Sequence, residues 1–299
     1  MSTPAMQLPD VDRGATQAPL RFVTAASLFD GHDAAINIMR RLIQGQGAEV
    51  IHLGHNRSVE DVVRAALQED ADGIALSSYQ GGHMEYFKYM VDMLRERGAS
   101  HIRVFGGGGG TITPEEIAEL HAYGVERVYH PNDGMHMGLV AMIEDVVRRT
   151  LAGRQARNRG DAVAPARHSL IDETRIAAKL SAIEAGTIAE AELLSLRKNA
   201  QAAPAAEARL ALVGEASRPR PPVIGLTGTG GAGKSSVTDE LLNRFLAAFP
   251  EMQIAVISVD PTRRRTGGAL LGDRIRMNTL RSSRVYMRSM ATRRQNVSI

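Results

Sequence analysis

Apolar and polar positions alternate between two periods along residues 21–151. Short apolar runs, RFVTAAS (21–27), EVIHLG (49–54), GIALSS (73–78), HIRVFGG (101–107) and RVYH (127–130), read as buried strands. Between them apolar residues recur at helical spacing, as with Ile36, Met39 and Ile43 in the segment 33–44. Ser58 predicts an N-cap for a helix to Glu69, with Asp61 adding charge to its first turn. A third helix is expected to run to Arg97. Thr113 followed by Pro114 marks the start of a fourth, which Gly124 stops. Residues 135–149 predict the last helix of the series. Five βα units joined by short loops imply a doubly wound, flavodoxin-like α/β fold with a parallel five-stranded sheet.

After residue 152 the character changes. AGRQARNRGDAVAPARHS is linker-like, and ETRIAAKLSAIEAG, TIAEAELLSLRKNA and AAEARLALVG read as Ala-rich helices. EASRPRPPV is a proline-rich boundary, and an apolar strand is expected over 223–227, then a helix over 233–248 and a buried strand over 254–260. The division expected is a disordered leader (1–18), an α/β domain (19–152), a helical linker (153–220) and an incomplete P-loop α/β domain (221–299). The sheet of that last domain is expected to have two strands at most.

Composition narrows the chemistry. The 299 residues are 43% hydrophobic and 23% charged, ordinary values for a globular chain. Absence of cysteine excludes disulfides, thiolate metal sites and cysteine nucleophiles. The first residues lack a signal-peptide core, and no run of about 18 apolar residues occurs, so a cytoplasmic protein without membrane contact is expected. The net charge of +3 is uneven, because residues 260–299 carry ten Arg against Asp260 and Asp273. Such a tail can meet nucleic acid, a phosphate ligand or an acidic partner. With only 4% aromatic residues there is little to stack on bases, so nucleic acid is the disfavoured reading.

The first candidate site lies in FDGHDAAINIMRRL (29–42), where Asp30 and His32 stand two apart after the first strand. A polar loop with an incidental histidine is the plain reading. In open α/β sheets, however, ligands bind outside the carboxyl ends of the strands where strand order reverses. Strand three ends in Ser77-Ser78-Tyr79 and strand four in five glycines, Gly106 to Gly110. The order is Asp30-x-His32-x-x-Ala35, 41 residues, Ser77-Ser78-Tyr79, 26 residues, Gly106-Gly107. This spacing resembles the cobalamin-binding domain of mutases and methyltransferases that bind the cofactor with its own base displaced, over roughly residues 19–152. Ala35 and Tyr79 depart from the usual Gly and Leu, which touches pocket shape rather than cobalt ligation. The resemblance implies that His32 is the lower axial cobalt ligand, that Ser77 meets the displaced base, and that Gly106 and Gly107 line the slot for the nucleotide tail. Asp30 is the nearest carboxylate to take the second ring N–H of a metal-bound imidazole. His83 is a candidate to approach the corrin.

The second candidate is Gly228-Thr-Gly-Gly-Ala-Gly233-Lys234-Ser235, which fits GxxxxGK[ST] between a strand and a helix. Backbone N–H groups of Gly228, Gly231, Ala232 and Gly233, continuing into Ser236, would cradle phosphate at a helix start. Lys234 would reach the β- and γ-phosphates as the catalytic cation, and Ser235 would ligate Mg²⁺. Downstream, VD at 259–260 and PTRRRTGGALLGDRIRM resemble the G-protein chaperones that serve cobalamin-dependent mutases. That resemblance makes Asp260 and Asp273 candidates for the Mg²⁺ shell and Arg276 a candidate contact for phosphate or a switch loop.

A cobalamin domain, a helical linker and a chaperone-like G domain in this order resemble the fused isobutyryl-CoA mutase family. The resemblance implies an isomerase and GTP hydrolase that uses adenosylcobalamin, Mg²⁺ and GTP, homodimeric at full length. Its acyl-CoA substrate would be held by a mutase barrel that these residues do not contain, so the chain reads as a truncated piece. Two other classes fit the motifs: a corrinoid methyl carrier fused to an NTPase, and a cobalamin-sensing regulator. Since no segment here patterns as a radical-sheltering barrel, the purified 299-residue chain is expected to form no n-butyryl-CoA from isobutyryl-CoA. Chromatography of the acyl-CoA products checks this, and any turnover refutes it.

Overall fold

Every position of β1 (Arg21–Ser27) is buried, because helices cover both faces of the sheet it centres. The computed structural model of the protein describes residues 18–32, 34–158, 171–202, 221–263 and 265–293. Of the expected leader over 1–18, all but Ala18 lies outside the described residues, as does the expected helix over 205–214.

The chain continues through α1 (Ala34–Gly45), β2 (Glu49–Arg57), α2 (Val59–Gln68), β3 (Gly73–Ser77), α3 (His83–Glu96), β4 (Arg103–Gly107), α4 (Pro114–Tyr123), β5 (Arg127–Tyr129) and α5 (Pro131–Asn158). These five strands run parallel, as expected, in the order β5-β4-β3-β1-β2, but the sheet has six strands, the sixth added beyond β2 from the last segment. Side chains alternate between the faces. Val23, Ile74, Leu76 and Val104 point to α2, α3 and α4, while Phe22, Ala75 and Phe105 point to α1 and α5. The caps follow the local signals. Ser58 Oγ accepts the Asp61 N–H at 3.1 Å, and Thr113 and Glu116 form a reciprocal capping box. The last helix starts four residues earlier than expected and runs on to Asn158, with Gly138 at φ 78° breaking the helical conformation inside it.

Helices α6 (Ile171–Ala185) and α7 (Glu190–Ala202) follow, then α8 (Lys234–Ala248), β6 (Ile254–Asp260), β7 (Ala269–Leu271) and β8 (Val285–Ala291). Two expectations fail here. Residues 223–227 form no strand, and Val223 is 97% exposed. Strand β6 is only half buried, with Ile257 and Val259 exposed on one face. The physical reason is the same for both. A strand needs a hydrogen-bonding edge and a covered face, and β6 pairs in parallel with β8 alone. β7 instead extends the large sheet, pairing with β2 through Glu49↔Ala269 and Ile51↔Leu271.

What holds the last segment against the α/β domain is a buried cluster of charges. Arg21 pairs with Glu49 at 2.5 Å and Glu69 at 2.7 Å. Glu69 also receives Arg274 at 2.7 Å and the N–H and hydroxyl of Ser289. Glu184 of α6 binds Arg288 at 2.5 Å, and Arg293 returns to Glu49 at 2.7 Å. Three of the ten tail arginines, Arg274, Arg288 and Arg293, are therefore neutralised inside the chain. Burial opposes ionisation of Glu69, but Arg274, Arg21 and Arg288 outweigh it and hold its carboxyl below the usual range. Removing one partner from such a cluster leaves buried guanidinium groups uncompensated. Glu69→Ala is expected to destabilise the fold by about 3–5 kcal/mol in urea unfolding. A loss below about 1 kcal/mol would mean that water or rearrangement compensates the arginines.

Candidate functional site

Strand order reverses at β1, which has β2 on one side and β3 on the other, so a crevice opens between the loops that leave β1 and β3. The Asp30 carboxylate is buried there. Its Oδ1 accepts the His32 backbone N–H at 2.8 Å and lies 3.0 Å from His32 Nδ1, and its Oδ2 accepts the Tyr79 N–H at 2.8 Å. A carboxylate only accepts, so Nδ1 carries the proton and the Nε2 lone pair is left for a ligand. The His32 side chain is 74% exposed. Just before it, Phe29 holds φ at 65° and donates its N–H to Asn56 Oδ1 at 2.9 Å.

Beside His32 a cavity of about 350 Å³ runs between the sheet and the helices α1 and α5. Met39, Phe105, Tyr129 and Met142 give it apolar walls, Ala35 stands at one side, and Gly106 and Gly107 form part of its floor. Ser77 lines it with a buried hydroxyl that has no hydrogen-bond partner. A buried unpaired hydroxyl in an apolar slot is the feature a ligand heteroatom would satisfy. The glycines do more than line the slot. A Cβ on Gly106 would lie 2.5 Å from Phe87, so its absence also lets α3 close on the sheet. Tyr129 belongs to the walls, but its hydroxyl is committed to Asp145 at 2.8 Å. Sequence reasoning missed the α5 wall, Met142, Ile143 and Val146; their 3–4 spacing was visible but equally described a core helix.

His83 is not placed to approach a ligand at the crevice. It is buried, with Nδ1 3.0 Å from the Gln80 carbonyl and Nε2 3.1 Å from the Glu116 carboxylate, and it ties α3 to α4. The packing of two helices claimed it.

The P-loop residues come together around the start of α8. Gly231 and Gly233 adopt φ of 79° and 81°, the left-handed conformation that turns the loop into the helix. Ala232 and Ser236 stand on that turn and in the first turn of α8. Lys234 Nζ donates back to the carbonyls of Gly228 at 2.8 Å and Thr229 at 2.9 Å. Ser235 Oγ lies 3.2 Å from Asp273 Oδ1, and Ser258 donates to the other oxygen of Asp273. Burial, with the Asp273 carboxylate adding to it, pushes Asp260 up to about 6, against the opposing pull of Arg276 and Lys234. Two carboxylates that repel each other beside a serine hydroxyl suit a divalent cation. Among the described residues there is no cluster of three or more His, Asp or Glu that would hold a metal by themselves.

The family profile for the B12 binding domain matches residues 20–137, and that for methylmalonyl Co-A mutase-associated GTPase MeaB matches residues 185–297. The chain is 55% identical over 287 residues to the fused isobutyryl-CoA mutase of Geobacillus kaustophilus (strain HTA426), a match that takes in 94% of this chain and 25% of that protein. It is 55% identical over 300 residues to the fused isobutyryl-CoA mutase of Cupriavidus metallidurans (strain ATCC 43123 / DSM 2839 / NBRC 102507 / CH34), with 96% and 26% covered. It is 32% identical to the 2-hydroxyisobutanoyl-CoA mutase small subunit of Aquincola tertiaricarbonis, with 47% of this chain and 98% of that one covered. The chain thus spans about a quarter of the length of the fused relatives. No described helix is long and apolar enough to cross a membrane.

The raised Asp260 has a consequence for stability. Its folded form binds a proton up to about pH 6, whereas the unfolded chain releases it near 3.8. The stabilisation from that proton is full below 3.8 and is lost as pH rises through 6. Without nucleotide and Mg²⁺, Asp260→Asn is expected to melt higher than the parent at pH 7 and to converge with it near pH 4. Differential scanning fluorimetry across that range checks this. A parent curve that does not fall between pH 4 and 7 relative to Asp260→Asn would refute the raised carboxyl.

Proposed function

The chain belongs to the fused isobutyryl-CoA mutase family, and we propose that residues 19–152 bind adenosylcobalamin with its own base displaced while residues 221–299 bind GTP and Mg²⁺. Residues 153–220 connect the two sites. The observation that carries this reading is the pairing of an exposed His32 imidazole, its Nδ1 held by buried Asp30, with an apolar slot whose Ser77 hydroxyl lacks a partner.

Adenosylcobalamin supplies a cobalt–carbon bond that breaks homolytically to start a radical rearrangement. The residues of this chain bind and orient it. His32 would hold the cobalt through Nε2, with Asp30 accepting from Nδ1, which would fix the tautomer and raise the basicity of the ring. Ser77 would hydrogen-bond the displaced base, and the apolar walls around Gly106 and Gly107 would exclude water from the tail. The reaction we propose these residues serve is the rearrangement of isobutyryl-CoA to n-butyryl-CoA.

At the second site the backbone N–H groups from Gly228 to Ser236 receive phosphate oxygens, and Arg276 adds positive charge. Lys234 leaves the carbonyls of Gly228 and Thr229 to reach the β- and γ-phosphates, so nucleotide exchanges one set of Lys234 partners for another. Ser235 would hold Mg²⁺, with Asp260 and Asp273 as the acids that complete its shell. Hydrolysis there would gate loading of the cobalamin site.

Electron paramagnetic resonance of the cob(II)alamin complex is expected to show coupling to a protein nitrogen that vanishes in His32→Ala. Coupling that survives the substitution would remove His32 from cobalt. Calorimetric titration is expected to show Mg²⁺-dependent triphosphate binding that Lys234→Ala abolishes. Retained binding would place the phosphates elsewhere.

A further inference from the structure

The Asp30 contact holds one edge of the His32 ring, at Nδ1, while the torsion to a planar ring is intrinsically broad, so a second contact sharpens its orientation. With the side chain 74% exposed, few neighbours can restrict it. Tyr79 is placed to do so. Its ring centroid lies 5.4 Å from that of His32 at an interplanar angle of 40°. Its own N–H is tied to Asp30 Oδ2, so the two residues share one carboxylate anchor.

The Tyr79 ring also forms part of the wall of the slot that holds Ser77. Room for it there comes from Gly109. A Cβ at that position would lie 2.6 Å from Tyr79 Cε1, and φ is 58°, a conformation that favours glycine. The backbone is therefore shaped around this aromatic ring, between the metal-ligand candidate and the tail slot.

Building on the cobalamin reading, we infer that Tyr79 is a positioning residue whose ring sets the plane of the His32 imidazole and closes the slot on the displaced nucleotide tail. Filling of the slot and presentation of Nε2 then depend on the same side chain. The hydroxyl plays no part, and a ring contact of this kind contributes about threefold to tenfold in affinity.

The full chain is titrated with cob(II)alamin by absorbance, and its bound form is examined by electron paramagnetic resonance, for the parent, Tyr79→Phe and Tyr79→Leu. Tyr79→Phe is expected to match the parent in affinity and in protein-nitrogen coupling. Tyr79→Leu is expected to bind about threefold to tenfold more weakly, with part of the bound cofactor lacking that coupling. Should Tyr79→Leu fail to fold by circular dichroism, Tyr79→Met takes its place with the same expectation. Parent-like affinity and full coupling in the folded Leu or Met variant overturn the inference and leave the cobalamin reading intact. A Tyr79→Phe variant as impaired as Tyr79→Leu also overturns it, since the effect would then belong to the hydroxyl. Absence of protein-nitrogen coupling in the parent overturns the reading and the inference together.

Discussion

The Asp30 carboxylate is the contact on which the crevice depends. It is buried at the carboxyl end of the central strand and accepts from two loops at once, from the His32 N–H on its own loop and from the Tyr79 N–H after β3. A buried carboxylate must be satisfied by donors, and three donors converge on this one. The same bonds that satisfy it shape the loop and turn His32 outward. Structural need and presentation of a ligand atom are thus met by one group.

At the opposite end of the sheet, charges rather than loops decide the assembly. Arg21 opens β1, Glu49 opens β2 and Glu69 caps α2, and all three are nearly inaccessible. Arg274 and Arg293 come from more than 200 residues away to complete the set, and Arg288 joins it through Glu184 of α6. A buried ion cluster contributes specificity of pairing more surely than stability. Here it fixes which segment docks on the edge of β2. Arg274 follows Asp273, which contacts the P-loop Ser235, so the clasp and the phosphate site adjoin along the chain.

The P-loop segment itself is held differently. Its helix α8 rests on the 3₁₀ turns near Asp273 and Thr279, where Asp239 accepts from the Thr279 N–H and hydroxyl. Ile257, Val259 and the run from Val223 stay open on their outer sides. The loop glycines nevertheless keep the left-handed turn into α8, because that turn is a local property of Gly231 and Gly233.

Local signals determined much of this protein. Alternating apolar runs and caps at Ser58 and Thr113 placed the five strands and most helix starts, since strand burial and capping act within a few residues. The separations of Asp30, Ser77 and Gly106 marked one crevice, because a parallel sheet brings strand ends together whatever the intervening helices contain. Tertiary structure alone decided three other matters. Residues 223–227 have strand composition but no edge to pair with, and β7, a three-residue strand, found one on β2. His83 spent its ring between α3 and α4. Three arginines of the tail, Arg274, Arg288 and Arg293, which by composition could have met nucleic acid or phosphate, were neutralised by Glu69, Glu184 and Glu49. Each outcome depends on which partner reaches a group first in three dimensions, and pairing between residues so far apart in the chain leaves no period or spacing to read.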